Sequence, residues 1–312
     1  MQINLWYKAY LNLKSPQSFG TKEFFEVLKL KNYNIEMVIE YFNEKYSLLG
    51  EVFASNGFIE EQISKAKDWG IEILCYTSPQ YPQMLRQINN PPLILFAKGN
   101  LQLLEKNKIA IVGSRVVSIA NLKNVDFFAK GLCNKGYCVV SGFARGVDTQ
   151  ACKSAMGFGT IQVVATGLDS IYPEENTKLF DEVLANGGLF LSEYQIGANC
   201  SKWINVKKGE GVNRANFTNF PERNRIIAGI SQAVIVAQAN IKNEEQLDKN
   251  GIDFLVGSKS GSLNTAYHTL TQGGGRKLFA ITGSPTDPSA LGCNTLVSKK
   301  LATPIFTPSD VG

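Results

Sequence analysis

Hydrophobic side chains in the first 70 residues recur at the three- and four-residue spacing of amphipathic helices. Asn34, a residue type that caps helix N-termini, precedes one such segment, and Gly70 follows a second as a C-terminal stop. The hydrophobic positions of the two segments are Ile35, Val38, Ile39 and Phe42, then Ile59, Ile63, Ala66 and Trp69. The pattern predicts a small all-helical domain over residues 1–70.

Residues 71–107 contain two short apolar runs among several prolines. Pro82, Pro91 and Pro92 lack a backbone N–H and restrict the residue before them, so a long helix is excluded here. We expect a proline-rich bridge over residues 71–107 that packs on the domain that follows.

From Lys108 onward, short runs rich in β-branched residues alternate with segments of helical period. The six runs are Ile109–Val112, Tyr137–Val140, Ile161–Ala165, Leu189–Leu191, Ala233–Val236 and Leu278–Ile281. Strands that are apolar on both faces indicate a parallel sheet covered by helices on both sides. The predicted fold class for residues 108–312 is therefore α/β, with a doubly wound, Rossmann-like parallel sheet.

Glycine, serine and arginine are concentrated in segments that follow these strands. In a doubly wound sheet such segments lie at the C-terminal edge, where ligands bind. Glycine lets the backbone approach a ligand, helix N-termini attract anions, and arginine adds a fixed positive charge. The candidate binding residues are Gly113, Ser114, Arg115, Ser141, Gly142, Phe143, Arg145, Gly146, Phe220, Arg223, Asn224, Arg225, Ser260, Gly261 and Ser262. They predict an anion-binding rim along one edge of the sheet.

Several of these candidates also have a purely structural interpretation. Arg145 can pair with Asp148, and Arg223 with a neighbouring carboxylate. Aromatic rings beside basic groups suit single-stranded nucleic acid, whose exposed bases stack on them. We expect Phe143 to pack beneath its loop instead, whereas Phe220 is equally suited to the core and to stacking.

The charge of the chain is modest and unevenly placed. The 312 residues include 32 Lys and Arg against 27 Asp and Glu, a net charge of +5, and residues 1–100 are balanced. The excess therefore lies in residues 101–312, where an anion would bind. No G-x-G-x-x-G opens the first helix of this region and no G-x-x-x-x-G-K-[ST] occurs, so neither NAD nor ATP is favoured and we expect no cofactor.

The six cysteines are scattered without a C-x-x-C pair, and the chain has one histidine, His268. This composition predicts no metal site and disfavours histidine-based nucleophilic catalysis. The N-terminus lacks a signal pattern, and no apolar stretch approaches the roughly 18 residues of a membrane helix. We expect a cytoplasmic protein with no membrane partner.

An ordered series of motifs covers nearly three quarters of the chain, from about Tyr81 to about Val311. The series is YP-x-x-L, PP-x-x-L, K-G-N, IAIVGSR, VVSGFARGVD, T-G-L-D-x-I-Y-P, LSEY, FPERNRIIAGIS, SGSLNTA and LFAITG. In this order the motifs resemble those of the DNA-processing protein A family, DprA or Smf.

The resemblance implies a non-enzymatic protein that binds single-stranded DNA, protects incoming DNA and helps load a RecA-type recombinase in natural transformation and homologous recombination. It implies a SAM-like or helix-hairpin-helix N-terminal domain, an extended Rossmann-like body and a homodimer. The resemblance also implies that Arg115 and the neighbouring loops form the DNA pocket, with the segment Arg223–Arg225 beside it.

The chain departs from the family pattern in three places. The family usually has Ala-His after GVD, whereas this chain has Ala151 and Cys152. The imidazole ring of that histidine is therefore missing here, together with any role it has near the pocket. Residues 198–219 are longer than usual, and Lys202, Lys207 and Lys208 within them are either added DNA contacts or part of a solvated insertion. The winged-helix domain that ends many family members is expected to be absent from this chain or to have been left out.

Two other function classes remain open from the sequence. Related Rossmann-like phosphoribohydrolases carry P-G-G-x-G-T-x-x-E where this chain has SGSLNTA, and no acidic residue follows between Thr265 and Gly275. A nucleotide-processing enzyme would therefore lack its expected general acid or base. An adaptor dimer that binds only protein is the third class, and a neutral rim would favour it.

Overall fold

The computed structural model describes residues 2–14, 20–46, 56–198, 215–241, 245 and 247–311. Within these residues a nine-stranded sheet is accompanied by eleven α-helices. None of the helices in these ranges is long and apolar enough to cross a membrane.

Four helices precede the sheet, and the two predicted segments are among them. The helices are α1 (Gln2–Leu13), α2 (Thr21–Leu30), α3 (Ile35–Lys45) and α4 (Asn56–Asp68). The Asn34 side chain caps α3 by accepting hydrogen bonds from the N–H groups of Glu36 and Met37 at 3.0 and 3.2 Å. Trp69, expected on the apolar face, is instead half exposed, and the Lys98 ammonium lies 5.4 Å from the centre of its ring.

The two apolar runs of the predicted bridge are strands of the main sheet. They form β1 (Glu72–Cys75) and β2 (Ile94–Gly99), joined through the one-turn helix α5 (Gln83–Arg86). The strands β1 and β2 pair antiparallel, and β2 pairs antiparallel with a strand of the parallel region. The prolines lie between the strands, where they interrupt no ladder hydrogen bond.

The remaining strands are parallel to one another. They are β3 (Lys108–Val112), β4 (Cys138–Ser141), β5 (Thr160–Val164), β6 (Leu189–Ser192), β7 (Ala233–Val236), β8 (Lys277–Ala280) and β9 (Thr303–Pro304). The six predicted runs coincide with β3 to β8, and β9 was not predicted. The spatial order is β1-β2-β6-β5-β4-β3-β7-β8-β9, which confirms the doubly wound sheet.

Helices cover both faces of the sheet, as the doubly apolar strands require. They are α6 (Ile119–Asn134), α7 (Val147–Ala155), α8 (Thr177–Ala185), α9 (Ala215–Ile230), α10 (Gly261–Thr271) and α11 (Leu291–Ser298). Alternate residues of β3 enter opposite cores: Ile109 and Ile111 pack with α6 and α7, whereas Ala110 and Val112 pack in the core that includes α9 and α10. The strand order reverses between β3 and β7, so a crevice opens beyond their C-terminal ends.

Candidate nucleic-acid interface

A cavity of about 720 Å³ lies beyond the C-terminal ends of β3 and β7, at the point where the strand order reverses. We call it the edge cavity. It is lined by Val112–Val116, Ala144, Asp148, Tyr172, Phe220, Pro221, Arg223, Asn224, Ile227, Asn240, Ser258–Ser262, Asn264 and Thr265. Residues from the segments after β3, β4 and β5, from helix α9 and from the segment that leads into α10 all contribute to it.

The segment after β3 brings Gly113, Ser114 and Arg115 to the cavity wall. A Cβ on Gly113 would lie 2.5 Å from a methyl group of Val147, so only glycine lets this loop pack against α7. Arg115 is exposed, and its guanidinium carbon lies 5.2 Å from the centre of the Phe220 ring. It forms no salt bridge with any carboxylate in the described ranges, so its charge is available to a ligand.

The segment after β4 is largely structural. Ser141 is fully buried and donates its hydroxyl hydrogen to the carbonyl of Ile111 at 2.7 Å. Phe143 is fully buried edge-to-face against Phe190, with ring centres 4.9 Å apart, and its φ is +59°. The Phe143 ring thus packs beneath its loop as expected, and neither the Ser141 nor the Phe143 side chain lines the edge cavity.

Gly142 and Gly146 act through the backbone of the same segment. A Cβ on Gly142 would lie 2.5 Å from a carboxylate oxygen of Asp148 and 2.7 Å from the Arg223 guanidinium. Gly146 has a φ of +74°, and a Cβ there would meet the carbonyl oxygens of Ser114 and Arg115. Gly142 leaves room for Asp148 and Arg223, whereas Gly146 lets the loops after β3 and β4 touch; neither glycine offers a side chain to a ligand.

Arg145 is exposed and forms an ion pair with a carboxylate. Its Nε and Nη2 donate to the two carboxylate oxygens of Glu175, each at 2.6 Å. The alternative pairing with Asp148 is therefore wrong, since Glu175, in the segment after β5, provides a matched bidentate acceptor. Ala144 beside it lines the edge cavity, whereas Arg145 itself does not.

The residues Phe220–Arg225 lie on helix α9, not at the end of a loop as expected, although Pro221 is inside the helix. Phe220 faces the edge cavity, and the Tyr172 ring meets it edge-on with centres 5.6 Å apart. Arg223, only 4% exposed, donates to the carbonyls of Gly142 and Val163. Its guanidinium is thus a structural group at the cavity floor rather than a free phosphate contact.

The positive charge of Arg223 acts on the buried carboxyl of Asp148. Burial raises the pKa of the Asp148 carboxyl, an effect that the positive charge of Arg223 opposes. Asn224 completes the floor: its Nδ2 donates to the carbonyl of Gly261 at 3.2 Å and to the Oδ1 of Asn264 at 3.0 Å. The interpretation of Asp148 as an ion-pair partner therefore agrees with its surroundings, with Arg223 instead of Arg145 as the partner.

Arg225 points away from the edge cavity. Its Nη2 lies 2.7 Å from Oε1 of Glu193, and both side chains are almost completely buried. Two residues along a helix differ by about 200° in direction, so Arg223 and Arg225 face opposite sides of α9. The assignment of Arg225 to the same surface as Arg115 is wrong for this reason.

Helix α10 begins at the cavity wall with Ser260, Gly261 and Ser262. The first intrahelical hydrogen bond joins the N–H of Asn264 to the carbonyl of Ser260, and no side chain of the described residues caps the helix. Its leading N–H groups are therefore available to an anion. Lys259 lies beside them on the cavity wall and was not among the predicted residues, since a lysine in a loop carries no distinguishing sequence signal.

Lys202, Lys207 and Lys208 lie outside the described residues. In the described ranges, no group of three His, Cys, Asp or Glu residues is arranged to hold a metal ion. The five described cysteines are buried, and burial raises the pKa of the Cys138 thiol to about 12. Such thiols are poor nucleophiles, because the thiolate is the reactive form.

Comparison with known proteins gives a consistent result. A family model described as DNA recombination-mediator protein A matches residues 72–244. The chain is 37% identical over 236 residues to the DNA processing protein DprA of Bacillus subtilis, covering 75% of this chain and 68% of that protein. It is 39% identical to the Streptococcus pneumoniae DprA, over 70% of this chain and 66% of that protein. Protein Smf of Escherichia coli is 31% identical over 221 residues, and this match covers 70% of this chain and 50% of that protein.

Two solved structures are similar to most of this chain. The S. pneumoniae DNA processing protein A superposes with a TM-score of 0.65 at 32% identity, over 89% of this chain and 81% of that chain. The Helicobacter pylori DNA processing protein A superposes with a TM-score of 0.59 at 26% identity, over 77% of this chain and 93% of that chain. The H. pylori structure is described in terms of its single-stranded DNA binding mode.

Proposed function

Because the chain belongs to the DNA recombination-mediator protein A family, we propose that it binds single-stranded DNA in the edge cavity. The observation that carries the proposal is the position of Arg115, exposed at the cavity wall, over an aromatic ring and opposite a helix N-terminus. A phosphate and its base fit such a wall together, the phosphate on charged and N–H donors and the base on an aromatic surface.

The phosphate seat in this proposal is formed by Arg115, Lys259 and the leading N–H groups of α10. The helix has eleven residues, so its N-terminus adds a partial positive charge to those of the two side chains. These donors need no particular base, which agrees with binding that is insensitive to sequence. Lys202, Lys207 and Lys208 are proposed as further contacts of the same kind.

The base seat is formed by Phe220 and Tyr172. Both rings line the edge cavity, and Phe220 is only partly buried. An aromatic contact of this type contributes about 1–3 kcal/mol per stacked base and accepts any base. The sequence left Phe220 equally suited to the core and to stacking. We propose that it does both: one part of the ring packs on Tyr172, and the rest stacks on a DNA base.

We propose that the protein acts without catalytic turnover. Asp148 is the one carboxylate among the described residues that line the edge cavity, and it is buried beside Arg223. A general acid or base needs to reach the substrate, and this carboxyl is committed to the cavity floor. Release of free base from nucleoside monophosphates by the purified protein would favour the phosphoribohydrolase-like alternative instead.

The biological role that follows is to protect incoming single-stranded DNA and to help load a RecA-type recombinase onto it in the cytoplasm, as a homodimer. The family description, a recombination mediator, supports this proposal. The test is strand exchange by a purified RecA-type recombinase on DNA coated with single-strand-binding protein. Acceleration on adding this chain supports the role, and an unchanged rate contradicts it.

The binding site is tested by Arg115→Ala. We expect about tenfold weaker binding to a labelled single strand at moderate salt, because one charge-assisted phosphate contact and one cation–π contact are lost. The slope of log affinity against log salt should become shallower by about 0.7, the value of one phosphate contact on a single strand. Lys67→Ala is the matched control, since Lys67 is an exposed cation on α4 and outside the edge cavity. Equal affinities for the two variants would overturn the assignment.

A further inference from the structure

The side of α9 that faces away from the edge cavity holds a cluster of four charged residues. Lys14 Nζ, at the end of α1, lies 3.3 Å from Oε1 of Glu193 and 3.4 Å from Oε2 of Glu222. Arg225 Nη2 lies 2.7 Å from the same Oε1 of Glu193. We call Lys14, Glu193, Glu222 and Arg225 the α1–α9 cluster. It joins three elements, because Glu193 directly follows β6 and both Glu222 and Arg225 belong to α9.

Only part of the cluster is enclosed, because the Glu222 side chain is 43% exposed. Glu193 and Arg225 are 4% and 7% exposed, and Lys14 is 34% exposed. Burial alone would raise the pKa of the Glu193 carboxyl, but the charges of Arg225 and Lys14 lower it below its usual value. Glu193 is therefore ionised at neutral pH, and the cluster consists of two positive and two negative charges.

Tyr194 reinforces the contact between α1 and α9. Its hydroxyl donates to the carbonyl of Asn219 at 3.1 Å and lies 3.3 Å from Oε2 of Glu222. The Lys14 ammonium lies 5.4 Å from the centre of the Tyr194 ring. The part of α9 from Asn219 to Arg225 is thus held on this side by Lys14 of the N-terminal region and by the residues after β6.

The same turns of α9 carry Phe220, Arg223 and Asn224 on the other side, at the edge cavity. Glu222 lies between Phe220 and Arg223 in the sequence, so a rotation of this part of α9 moves both sides together. The position of the ring that meets Arg115 is consequently set in part by contacts that do not belong to the edge cavity.

We propose that Lys14 is a positioning residue for DNA binding: through its two carboxylate contacts it fixes the orientation of α9, and with it the Phe220 ring. This proposal rests on the proposed function of the edge cavity. It assigns to the N-terminal helices a role in DNA binding that requires no contact with DNA, since Lys14 does not line the edge cavity.

The variant that tests the proposal is Lys14→Met, which keeps the apolar stem and removes the ammonium group. We expect single-stranded DNA to bind about three- to tenfold more weakly, the range of couplings transmitted through packed elements. The salt dependence should keep its wild-type slope, because no phosphate contact is lost. Lys14→Arg should restore affinity, since a guanidinium reaches the same two carboxylates.

Lys45→Met is the matched control. Lys45 also belongs to the N-terminal helices and pairs with a carboxylate, that of Glu23, but this ion pair joins α3 to α2 and includes no residue of α9. We expect wild-type affinity for this variant. If Lys14→Met does not fold, Glu222→Gln tests the same contact from α9 and should weaken binding without altering the salt slope.

Three results would overturn the proposal. The first is wild-type affinity for Lys14→Met with a lowered melting temperature, which indicates a structural role alone. The second is a shallower salt slope, which indicates that Lys14 contacts phosphate directly. The third is equal weakening by Lys45→Met, which indicates a general effect of charge. Failure of the proposed function itself is distinguished from all three, because wild-type protein would then not bind single-stranded DNA.

Discussion

The four arginines that follow strands have different environments, although the sequence places all of them in similar segments. Arg115 is exposed over Phe220, Arg145 is held by an exposed carboxylate, and Arg223 and Arg225 are buried on opposite sides of one helix. A sequence predicts which segment a residue belongs to. It does not predict which distant carboxylate or carbonyl meets the side chain, because Glu175 and Glu193 are 30 and 32 residues away from their partners.

Arg145 offers a test of how a surface carboxylate competes with DNA. In Glu175→Gln the bidentate ion pair is lost and one negative charge leaves the rim, so Arg145 becomes free to contact phosphate. We expect about two- to fivefold tighter binding of single-stranded DNA at low salt and a smaller gain at high salt. Fluorescence anisotropy with a labelled oligonucleotide measures the change.

The matched control for this variant is Glu182→Gln. The Glu182 carboxylate on α8 is 44% exposed and lies 3.8 Å from the Lys178 ammonium. Its substitution removes the same charge at a position where Arg145 is not the partner. If Glu182→Gln tightens binding as much as Glu175→Gln, net charge alone explains the effect. Melting temperatures should stay unchanged in both, since exposed ion pairs contribute little to stability.

Arg223 should prove necessary for folding rather than for DNA contact. In Arg223→Met the buried Asp148 carboxylate loses its positive partner, and the carbonyls of Gly142 and Val163 lose a donor. Breaking a buried charge pair on one side costs about 3 kcal/mol or more of unfolding free energy. Urea denaturation measures this loss. Arg115→Met is the comparison, and its stability should lie within about 0.5 kcal/mol of wild type because Arg115 is exposed.

At the scale of elements, periodicity located β3 to β8, because each strand is buried on both faces. Where proline was the strongest local signal, periodicity did not assign the elements. Pro82, Pro91 and Pro92 excluded a long helix from residues 71–107, and the two apolar runs there are the strands β1 and β2. Pro221 and its neighbours suggested the end of a loop, yet α9 continues through it. In both places, contacts with the sheet stabilise an element that the local sequence preference does not predict.

The loops after β3 and β4 should behave as one element, since Gly146 allows them to touch. In Gly146→Ala the new Cβ would lie 2.6 Å from the carbonyl oxygen of Arg115 at a φ of +74°. We expect a loss of at least about 1 kcal/mol of unfolding free energy, and weaker DNA binding because Arg115 is displaced. Denaturation and anisotropy measure the two effects.

Gly157→Ala is the control for that substitution. Gly157 follows α7, a Cβ there would meet no atom within 4 Å, and its φ is not in the left-handed region. Stability and DNA binding should both remain near wild type. If Gly146→Ala lowers stability while DNA binding by the folded protein is unchanged, the loop contact does not position Arg115.

At the scale of the whole molecule, the N-terminal helices and the sheet share a single core. Trp6, Tyr7 and Tyr10 of α1 are buried, and the rings of Tyr7 and Tyr10 both meet Phe96 of β2 edge-on, with centres 6.0 and 6.1 Å apart. The sequence predicted helices followed by a sheet, but pairings between residues almost 90 positions apart leave no local pattern. This shared core is the structural basis on which α1 can influence α9.

His268 lies on α10, which packs against α9. Burial and the nearby charge of Arg225 lower the pKa of the His268 imidazole from 6.5 to about 4, even though a hydrogen bond with the Pro221 carbonyl favours the protonated form. The unfolded chain, with a pKa of 6.5, therefore binds more protons than the folded chain between these two values. Stability must fall as the pH falls through this interval.

The expected loss from His268 is about 2 kcal/mol of unfolding free energy between pH 7 and pH 5. His268 is the only histidine of the 312 residues, so His268→Gln removes the group that titrates in this window. Urea denaturation gives the unfolding free energy of both proteins at the two pH values. The difference between their pH-dependent losses is the contribution of His268, because any effect of the substitution that does not depend on pH cancels. The wild-type protein should lose about 2 kcal/mol more than the variant. Equal losses would mean that the imidazole is as easily protonated in the folded protein as in the unfolded chain, and that the contact between α9 and α10 is open to water.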